Sequence, residues 1–439
     1  MDEGTAAKRL EACQSGSSVT QRERAMLPPE IQYVVGIDVA KQAHVVCALE
    51  APSGAVLQKP SRIEATAEGY ALLGSWLGTW GAPEQTLIGL EATGPLWEPL
   101  YAHLTQAGYR VLRLNPRQTS SWASSRGLRA KTAGLDAPTL ATGLLAGLAR
   151  ASTLPSESVQ ALRTLTRARR DLIQRRTATR QRLHDELVTL FPEFVRFLST
   201  LPGRADLGEP AVLRLVSAYS SAQALAHAPL EELARALERL SDQRGGHEQA
   251  QALQELAQRS TASARAVAAR RLVARTLAQQ LQELAVHIAE GEAASADLLK
   301  DATEGQQRQD IPGIGPQGAA TIRAELGDVA RFGRVDEVVA YAGLDPRTRQ
   351  SGAFGGQQPL AKRGPGALRH ARSRAAFVAA RSAPEWRVRY QRLLDRGHAK
   401  KEAFTILARA LLRVIYHLLR TGEADDPALL KQPSAPTAA

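Results

Sequence analysis

Five short apolar segments between residues 33 and 114 constrain the fold most strongly. Such runs, bounded by turn residues, predict strands at residues 33–39, 43–50, 55–63, 86–90 and 109–114. Helical patterns cover residues 65–80, 95–106 and 132–148. The first three strands follow one another across tight turns, and the later ones alternate with helices. This order predicts an α/β domain with helices packed on a mixed sheet that begins with a three-stranded meander.

Three acids stand at informative places in this pattern. Asp38 ends the first strand, Glu91 ends the fourth, and Asp136 lies on the helix after the fifth. A carboxylate at the end of an apolar strand is costly unless a cation or a basic group lies near it. Hard oxygen ligands of this kind suit Mg²⁺. Asp38 alone is equally typical of a strand-end turn, but the three acids together favour a Mg²⁺ site.

An arginine-rich helix is predicted at residues 159–191, where leucines recur at near-helical spacing. Eight arginines lie between Arg163 and Arg182, and Asp171 is the only acid in that span. Such a face is either solvated or bound to a polyanion, and the charge imbalance favours nucleic acid.

A second long helix is predicted at residues 261–288. Its apolar side chains Leu277, Leu281, Leu284 and Ile288 step by four, three and four residues, which is typical of a coiled coil. The two long helices are expected to pair either as an antiparallel arm or with a second copy of the chain. A helical stretch broken at Gly245-Gly246 is predicted between them, at residues 209–258.

The region from residue 311 to residue 374 carries a second set of functional candidates. Gly313 and Gly315 lie in a turn before a predicted helix at Pro316–Leu326. The turn is either a helix–helix connection or a phosphate clamp, because amides at a helix N-terminus bind anions. From Arg347 to Arg374 there are seven lysines or arginines and no acid, with Ser351 in a loop among them. This predicts a phosphate-binding surface around a hydroxyl, although a loop serine by itself is more often solvated. Further helices are predicted at residues 367–380 and 400–419.

The charge balance indicates the kind of partner. The chain has 56 lysines and arginines against 44 acids, a net charge of +12, and a pI of about 10.0. A polyanion such as nucleic acid is favoured over a membrane. Aromatic residues make up 5% of the chain, which argues against binding single strands mainly by base stacking. We find neither a secretory signal nor an apolar run of about 18 residues that could span a membrane, so a cytoplasmic protein is expected.

Several motifs in order carry a family resemblance. They are GIDVAK around Asp38, GLEATG around Glu91, KTAGLDA at residues 131–137, PGIGPQGAATIRAELGD at residues 312–328, and YAGLDPRTRQSG at residues 341–352. In this order and spacing the chain, from residue 33 to about residue 419, resembles the DEDD-type transposases of bacterial insertion sequences, described as bridge-RNA-guided serine recombinases.

The resemblance implies a division into domains. A RuvC-like domain of the ribonuclease-H type would occupy residues 31–153, a helical coiled-coil region residues 154–300, and a helical transposase domain with a helix-hairpin-helix-like motif residues 301–420. A flexible leader at residues 1–30 and a disordered tail at residues 421–439 complete the expected fold, which is α/β plus α.

The resemblance also implies the active-site residues. Asp38, Glu91 and Asp136 would bind Mg²⁺ and take part in catalysis, and Ser351 would be the nucleophile. The third of the four family acids falls on Ala133. A methyl group there removes one charge and up to two oxygen ligands, which would weaken the site, although three acids with water and phosphate oxygens can still hold one Mg²⁺.

The implied partners are a structured guide RNA, donor and target double-stranded DNA, and further copies of the chain in a dimer or tetramer. The residues expected to contact nucleic acid are Lys131, Arg163, Arg167, Arg170, Gly313, Gly315, Arg347, Arg349, Lys362, Arg363 and Arg369. Two alternatives remain open from the sequence. One is a metal-dependent nuclease of the junction-resolving type in which Ser351 is idle. The other binds RNA and DNA without cutting, because Ala133 replaces an acid.

Overall fold

The computed structural model describes residues 27–51, 53–91, 94–116, 119–120, 122, 133–148, 154–201, 205–239, 246–300, 311, 313–345, 350–351, 354–355 and 364–421. The chain divides into two compact units, Met1–Leu154 and Pro155–Ala439. The predicted leader and tail fall almost entirely outside the described residues.

The first unit is built on a five-stranded sheet in the order β3-β2-β1-β4-β5. Its strands are β1 (Tyr33–Asp38), β2 (Ala43–Glu50), β3 (Val56–Glu64), β4 (Thr86–Glu91) and β5 (Arg110–Leu114). The first three pair antiparallel, while β4 runs parallel to β1, and β5 runs parallel to β4. The mixed sheet that begins with a meander is therefore confirmed.

Helices cover both faces of this sheet. They are α1 (Ala67–Trp80), α2 (Glu98–Gln106) and α3 (Ala133–Leu145). Neighbouring residues of a strand point to opposite faces. Accordingly Val35 and Ile88 pack with residues of α1 and α2, whereas Val34 and Leu87 pack with residues of α3. The unit is thus a sheet between two helical layers, which is consistent with a RuvC-like fold.

Two long helices of 34 residues each dominate the second unit: α4 (Glu157–Leu190) and, farther along the chain, α10 (Val267–Lys300). Arg169, early in α4, donates from Nε to Glu292, late in α10, at 2.7 Å. Arg270, early in α10, donates to Glu186, late in α4, at 2.9 Å. The two helices therefore run antiparallel within one chain.

The leucines of α10 pack against other residues of the same chain. Leu277 and Leu281 belong to the same buried cluster as Leu183 and Leu187 of α4. Of the two arrangements that the sequence left open, the antiparallel pair is the one observed. Coiled-coil packing and a contact with a second copy stay predictions.

Between the long helices, the described residues form five short ones. They are α5 (Pro192–Thr200), α6 (Pro210–Ala218), α7 (Ala222–Ala226), α8 (Leu230–Glu238) and α9 (Gly246–Gln258). The predicted stretch at residues 209–258 thus contains four of these helices, and the predicted break at Gly245-Gly246 falls where α9 begins and the residues before it lie outside the described part. One further interruption has a local cause, because the Ser221 hydroxyl caps α7 by accepting from the Ala224 amide at 3.2 Å.

The described residues of the last part of the unit form helices and one short strand pair. Its helices are α11 (Pro316–Leu326), α12 (Val335–Tyr341), α13 (Gly366–Ser382), α14 (Pro384–Asp395) and α15 (Lys400–Thr421). The pair consists of β6 (Gln350–Ser351) and β7 (Phe354–Gly355). The predicted bounds of α11 are confirmed. Helix α14 was not predicted, since Trp386 and Leu393 are its only buried residues and leave a weak periodic signal.

A small apolar cluster joins the long helices to this last part. Leu162 of α4 and Leu299 of α10 pack with Ala320 and Ala324 of α11. Residues on both sides of the predicted boundary at residue 300 therefore share one core, and the boundary itself stays a prediction. Among the described helices, none combines the length and the apolar character needed to cross a membrane.

Candidate functional site

The strand pairing brings two of the predicted acids to one edge of the sheet. Strands β1 and β4 are parallel neighbours, with Ile37 opposite Leu90. Asp38 and Glu91 are the next residues, so both stand at the carboxyl ends of adjacent strands. Ligands of open α/β sheets bind characteristically at such an edge.

A glycine brings the third acid close. A methyl group at Gly36 of β1 would lie 2.3 Å from the carbonyl oxygen of Ala137 and 2.4 Å from the amide nitrogen of Ala141. Any side chain at this position would push α3 away from the sheet. Because Gly36 allows the close approach, Asp136 at the start of α3 comes near the end of β1.

The charges of the three acids interact. Burial, followed by the charges of Asp136 and Glu91, raises the pKa of Asp38 to about 6. The Thr119 hydroxyl lies 3.1 Å from Glu91 Oε2 and can donate to it. Thr119 is buried, and no pattern in the sequence distinguished it. Asp136 and Glu91 are thus both near enough to Asp38 for their charges to act on it.

The cluster has the chemistry of a divalent-cation site, because hard carboxylate oxygens that repel one another gain from a cation between them. The side chains are farther apart than in a metal-bound site, because across the described residues no three Asp, Glu, His or Cys side chains are close enough together to hold a metal ion. Ala133, on which the third acid of the family pattern falls, is the first residue of α3. Binding of Mg²⁺ by the three acids stays a prediction.

Ser351 lies in the second unit. Its backbone is part of β6 and pairs antiparallel with Phe354 of β7. The side chain of Ser351 is outside the described part of the structure. Its proposed meeting with the acids of the first unit therefore stays a prediction.

Three of the predicted nucleic-acid contacts are engaged by the chain itself. Arg163 donates to the Ala324 carbonyl at 2.8 Å. Arg167 donates two hydrogen bonds to the Glu325 carboxylate, of 2.7 and 2.9 Å. Arg369 donates to the Gly364 carbonyl at 3.2 Å. These bonds hold α4 and α13 in place, and contact with nucleic acid by these arginines stays a prediction.

The remaining basic candidates divide into two groups. Arg170 of α4 has no hydrogen bond or ion pair with any residue that the structure describes. Lys131, Arg347, Arg349, Lys362 and Arg363 lie outside the described residues.

The two glycines of the predicted clamp serve different purposes. Gly313 has a φ of 85°, and a methyl group on it would lie 2.3 Å from the Ala375 carbonyl oxygen. It is therefore required for the turn to pack on α13. Gly315 precedes α11 as its N-cap, and the space around it is open. Only Gly315 is placed to let a ligand approach the helix end, and a helix-hairpin-helix motif stays a prediction.

One buried cation was missed at the sequence level. Arg372 of α13 is 4% exposed, and burial followed by the charge of Arg369 lowers its pKa to about 10. Its Nε atom has no hydrogen-bond partner. The sequence offered no signal for its burial, since it lies in a run of arginines that resembles a solvated face.

Two family models match this chain, and both describe transposases. Residues 35–192 match a transposase family model, the DEDD transposase domain of IS110. Residues 307–391 match a model described as the transposase IS116/IS110/IS902 family. The two matches together cover more than half of the chain.

Individual relatives extend this similarity along most of the sequence. A mini-circle protein of Streptomyces coelicolor, whose name proposes it as the transposase for IS117, is 27% identical over 402 residues, covering 89% of this chain and 94% of the relative. An uncharacterized 42 kDa protein of insertion element IS900 from Mycobacterium paratuberculosis is 29% identical, covering 75% of this chain and 81% of the relative. An uncharacterized 44.8 kDa protein of insertion element IS116 from Streptomyces clavuligerus is 25% identical, covering 90% and 96%.

Proposed function

We propose that this chain, which belongs to the IS116/IS110/IS902 family of transposases, cuts and rejoins DNA of its mobile element through a covalent bond to Ser351. The observation that carries the proposal is the convergence of Asp38, Glu91 and Asp136 at one edge of the sheet, within the region that matches the DEDD transposase model.

In the proposed reaction, the Ser351 hydroxyl attacks a backbone phosphorus of DNA. A bond from Ser351 Oγ to phosphorus forms while the bond from phosphorus to one sugar oxygen breaks, and the hydroxyl proton passes to the departing oxygen through solvent. A second DNA end then attacks the phosphoserine and releases the enzyme. The number of phosphoester bonds is conserved at each step, so neither ATP nor water is consumed.

Asp38, Glu91 and Asp136 would hold Mg²⁺, which when bound supplies Lewis-acid stabilisation to phosphate oxygens. The chain itself contributes carboxylate oxygens as ligands at these positions. Burial and the repulsion between the carboxylates make their ionised forms less stable without a cation. Arg347, Arg349 and Lys362 would neutralise charge that develops on the phosphate beside Ser351.

The proposed partners are donor and target duplex DNA, a structured guide RNA, and further copies of the chain in a dimer or tetramer. The net charge of +12 and the acid-free segment from Arg347 to Arg374 support a polyanionic partner. The proposal of a guide RNA as a partner rests on the family resemblance alone.

Replacement of the serine tests the nucleophile. With labelled DNA ends, Mg²⁺ and the flanking RNA of the element, the wild-type chain is expected to form a covalent protein–DNA adduct that survives denaturing gel electrophoresis. Ser351→Ala should abolish the adduct, because no hydroxyl remains to form the phosphoserine bond. The matched control Ser382→Ala removes an exposed hydroxyl at the end of α13 and should leave the adduct unchanged. An adduct of undiminished yield with Ser351→Ala would refute the assignment.

A second candidate is a metal-dependent junction nuclease that uses the acid cluster for hydrolysis. The observation in its favour is that the cluster forms within the first unit, without any residue of the second. The same gel separates the two functions. A nuclease yields nicked DNA with free ends and no adduct, and its activity is unaffected by Ser351→Ala.

Placing an acid at position 133, where the third acid of the family pattern falls, tests whether Ala133 weakens the metal site. Ala133→Asp adds a carboxylate at the start of α3, so the Mg²⁺ concentration for half-maximal recombination should fall by about tenfold. Ala133→Asn adds similar bulk without charge and should give a much smaller change. Recombination that occurs only with Ala133→Asp would support the binding-only alternative for the natural sequence. Equal Mg²⁺ requirements in all three proteins would show that position 133 does not act on the metal.

A further inference from the structure

A cavity of about 320 Å³ opens between α4, the turn before α11, and α13. Its polar lining comes from three directions: Arg169 and Arg170 of α4, Gly315 and Gln317 around the start of α11, and His370 and Arg374 of α13. No aspartate or glutamate is among the described residues that line it. A concave surface with several cations and no acid concentrates positive potential and favours an anionic ligand.

The lining arginines differ in how they are paired. Arg169 is neutralised, because its Nε donates to Glu292 at 2.7 Å. Arg170 is only partly exposed and has no acceptor among the described residues. Its Nη1 lies 3.2 Å from where a methyl group on Gly366 would be, so the guanidinium reaches from α4 to the first residue of α13. An arginine held in this way presents its donors to a ligand and not to the protein.

The start of α11 adds donors to the same cavity. This helix has 11 residues and no side-chain cap, and Pro316 occupies its first position. Proline has no amide hydrogen, so the amides of Gln317 and Gly318 are the first donors of the helix, at the positive end of its dipole. They support an anion bound by Arg170.

Gln317 holds the start of α11 in place. Its Nε2 donates to the Glu292 carbonyl at 3.2 Å, which ties α11 to α10 and fixes the orientation of the amide. Its Oε1 is buried, so the donors that a ligand in the cavity can reach are those of Arg170 and the first amides of α11.

We propose that this cavity, named here the Arg170 cavity, binds one nucleotide unit of a nucleic acid chain. Arg170 and the amides at the start of α11 take the backbone phosphate of this unit. The volume lies at the lower end of the range of about 300–1,000 Å³ for ligand pockets, which suits one nucleotide. The inference rests on the proposed function only in that the partner is nucleic acid.

Binding to the full chain tests the Arg170 cavity. The probes are a labelled single-stranded RNA, the DNA of the same sequence, and the DNA duplex, with fluorescence polarisation at fixed salt as the measurement. Arg170→Ala should weaken binding of at least one probe by about tenfold or more, since a charged hydrogen bond to phosphate is lost. Arg170→Lys should give an intermediate loss, because it keeps the charge without the guanidinium fork.

The matched control is Arg175→Ala, which removes the same charge from an exposed position of α4 outside the cavity. Its effect should remain below about threefold. Thermal unfolding of each variant shows whether the fold is intact, and Arg170→Lys keeps the test decisive if Arg170→Ala unfolds. Equal affinities of the Arg170 and Arg175 variants for all three probes would overturn the proposal.

The three probes also identify the kind of strand that the cavity binds. A loss with Arg170→Ala on RNA but not on DNA assigns the nucleotide to RNA, and an equal loss on RNA and DNA assigns the contact to the phosphate that both backbones share. None of these measurements requires DNA cleavage, so they succeed or fail independently of the Ser351 experiment.

Discussion

Asp38 illustrates how a single ionised side chain can lower the stability of the fold. Its carboxylate sits at a half-buried strand end beside Glu91 and Asp136, and its pKa is raised to about 6. A raised pKa means that the folded state prefers the protonated form. The ionised form therefore destabilises the fold above pH 6, and this cost disappears as the pH falls from 6 towards the ordinary value of 3.8.

Asp38→Asn should consequently stabilise the first unit at neutral pH in the absence of divalent cations. We expect a gain of about 1 kcal/mol in the free energy of unfolding at pH 7, after allowing for solvent screening of a half-buried group. The gain should vanish near pH 4, where the wild-type carboxyl is protonated. Urea unfolding at a series of pH values measures it. Glu84→Gln, an exposed acid in the same unit, should show no such pH-dependent gain. A pH-independent difference for Asp38→Asn would contradict the electrostatic account.

At the scale of secondary-structure elements, the contact between α4 and α11 depends on one buried acid. Glu325 is 0% exposed and accepts two hydrogen bonds from Arg167, while Arg163 bonds the neighbouring Ala324 carbonyl. Two arginines of an apparently solvated basic face therefore act as anchors of the fold. The partly exposed Arg167 can still reach solvent on its other side.

Glu325→Ala should destabilise the second unit by about 2 kcal/mol, because it leaves Arg167 without its partner and opens a cavity under α11. Thermal or urea unfolding measures the loss. Glu283→Ala, which removes an exposed acid from α10, should change stability by less than about 0.5 kcal/mol. Adding Arg167→Ala to Glu325→Ala should cost little more, since the pair acts as a unit. Full additivity of the two losses would show that the bidentate pair contributes nothing.

At the scale of the whole molecule, the proposed reaction needs groups from both compact units. The acids belong to Met1–Leu154 and Ser351 to Pro155–Ala439. If active sites are assembled across copies of the chain, as the resemblance implies, each copy supplies one half of a site to its partner.

A mixture of two inactive variants tests this arrangement. Asp38→Asn and Ser351→Ala should each abolish recombination alone. Mixed in equal amounts and allowed to exchange subunits, they should regain roughly a quarter of the wild-type activity, because about half of random dimers are mixed and each mixed dimer has one intact composite site. Joined DNA products measure the outcome. A mixture that stays inactive, although both variants are present in mixed dimers, would place each site within a single copy.

Local patterns determined much of the first unit. The strand positions, the meander and the acids at strand ends followed from apolar runs and their bounds, because these depend on neighbouring residues. The bounds of α11 followed in the same way, with proline at its start and glycine after its end. The alternation of strands and helices also set the mixed sheet and hence the edge that Asp38 and Glu91 share.

Only the tertiary structure decided which charges are used inside the protein and which remain for a ligand. Arg167 and Arg170 lie three positions apart in the same arginine-rich helix, yet one meets Glu325, 158 residues later, and the other faces a cavity. Sequence spacing carries no information about such distant partners, because they are set by how whole helices pack. For the same reason the sequence alone determined that the chain is suited to a polyanion, while the packing of α4, α11 and α13 determined where a single nucleotide would fit.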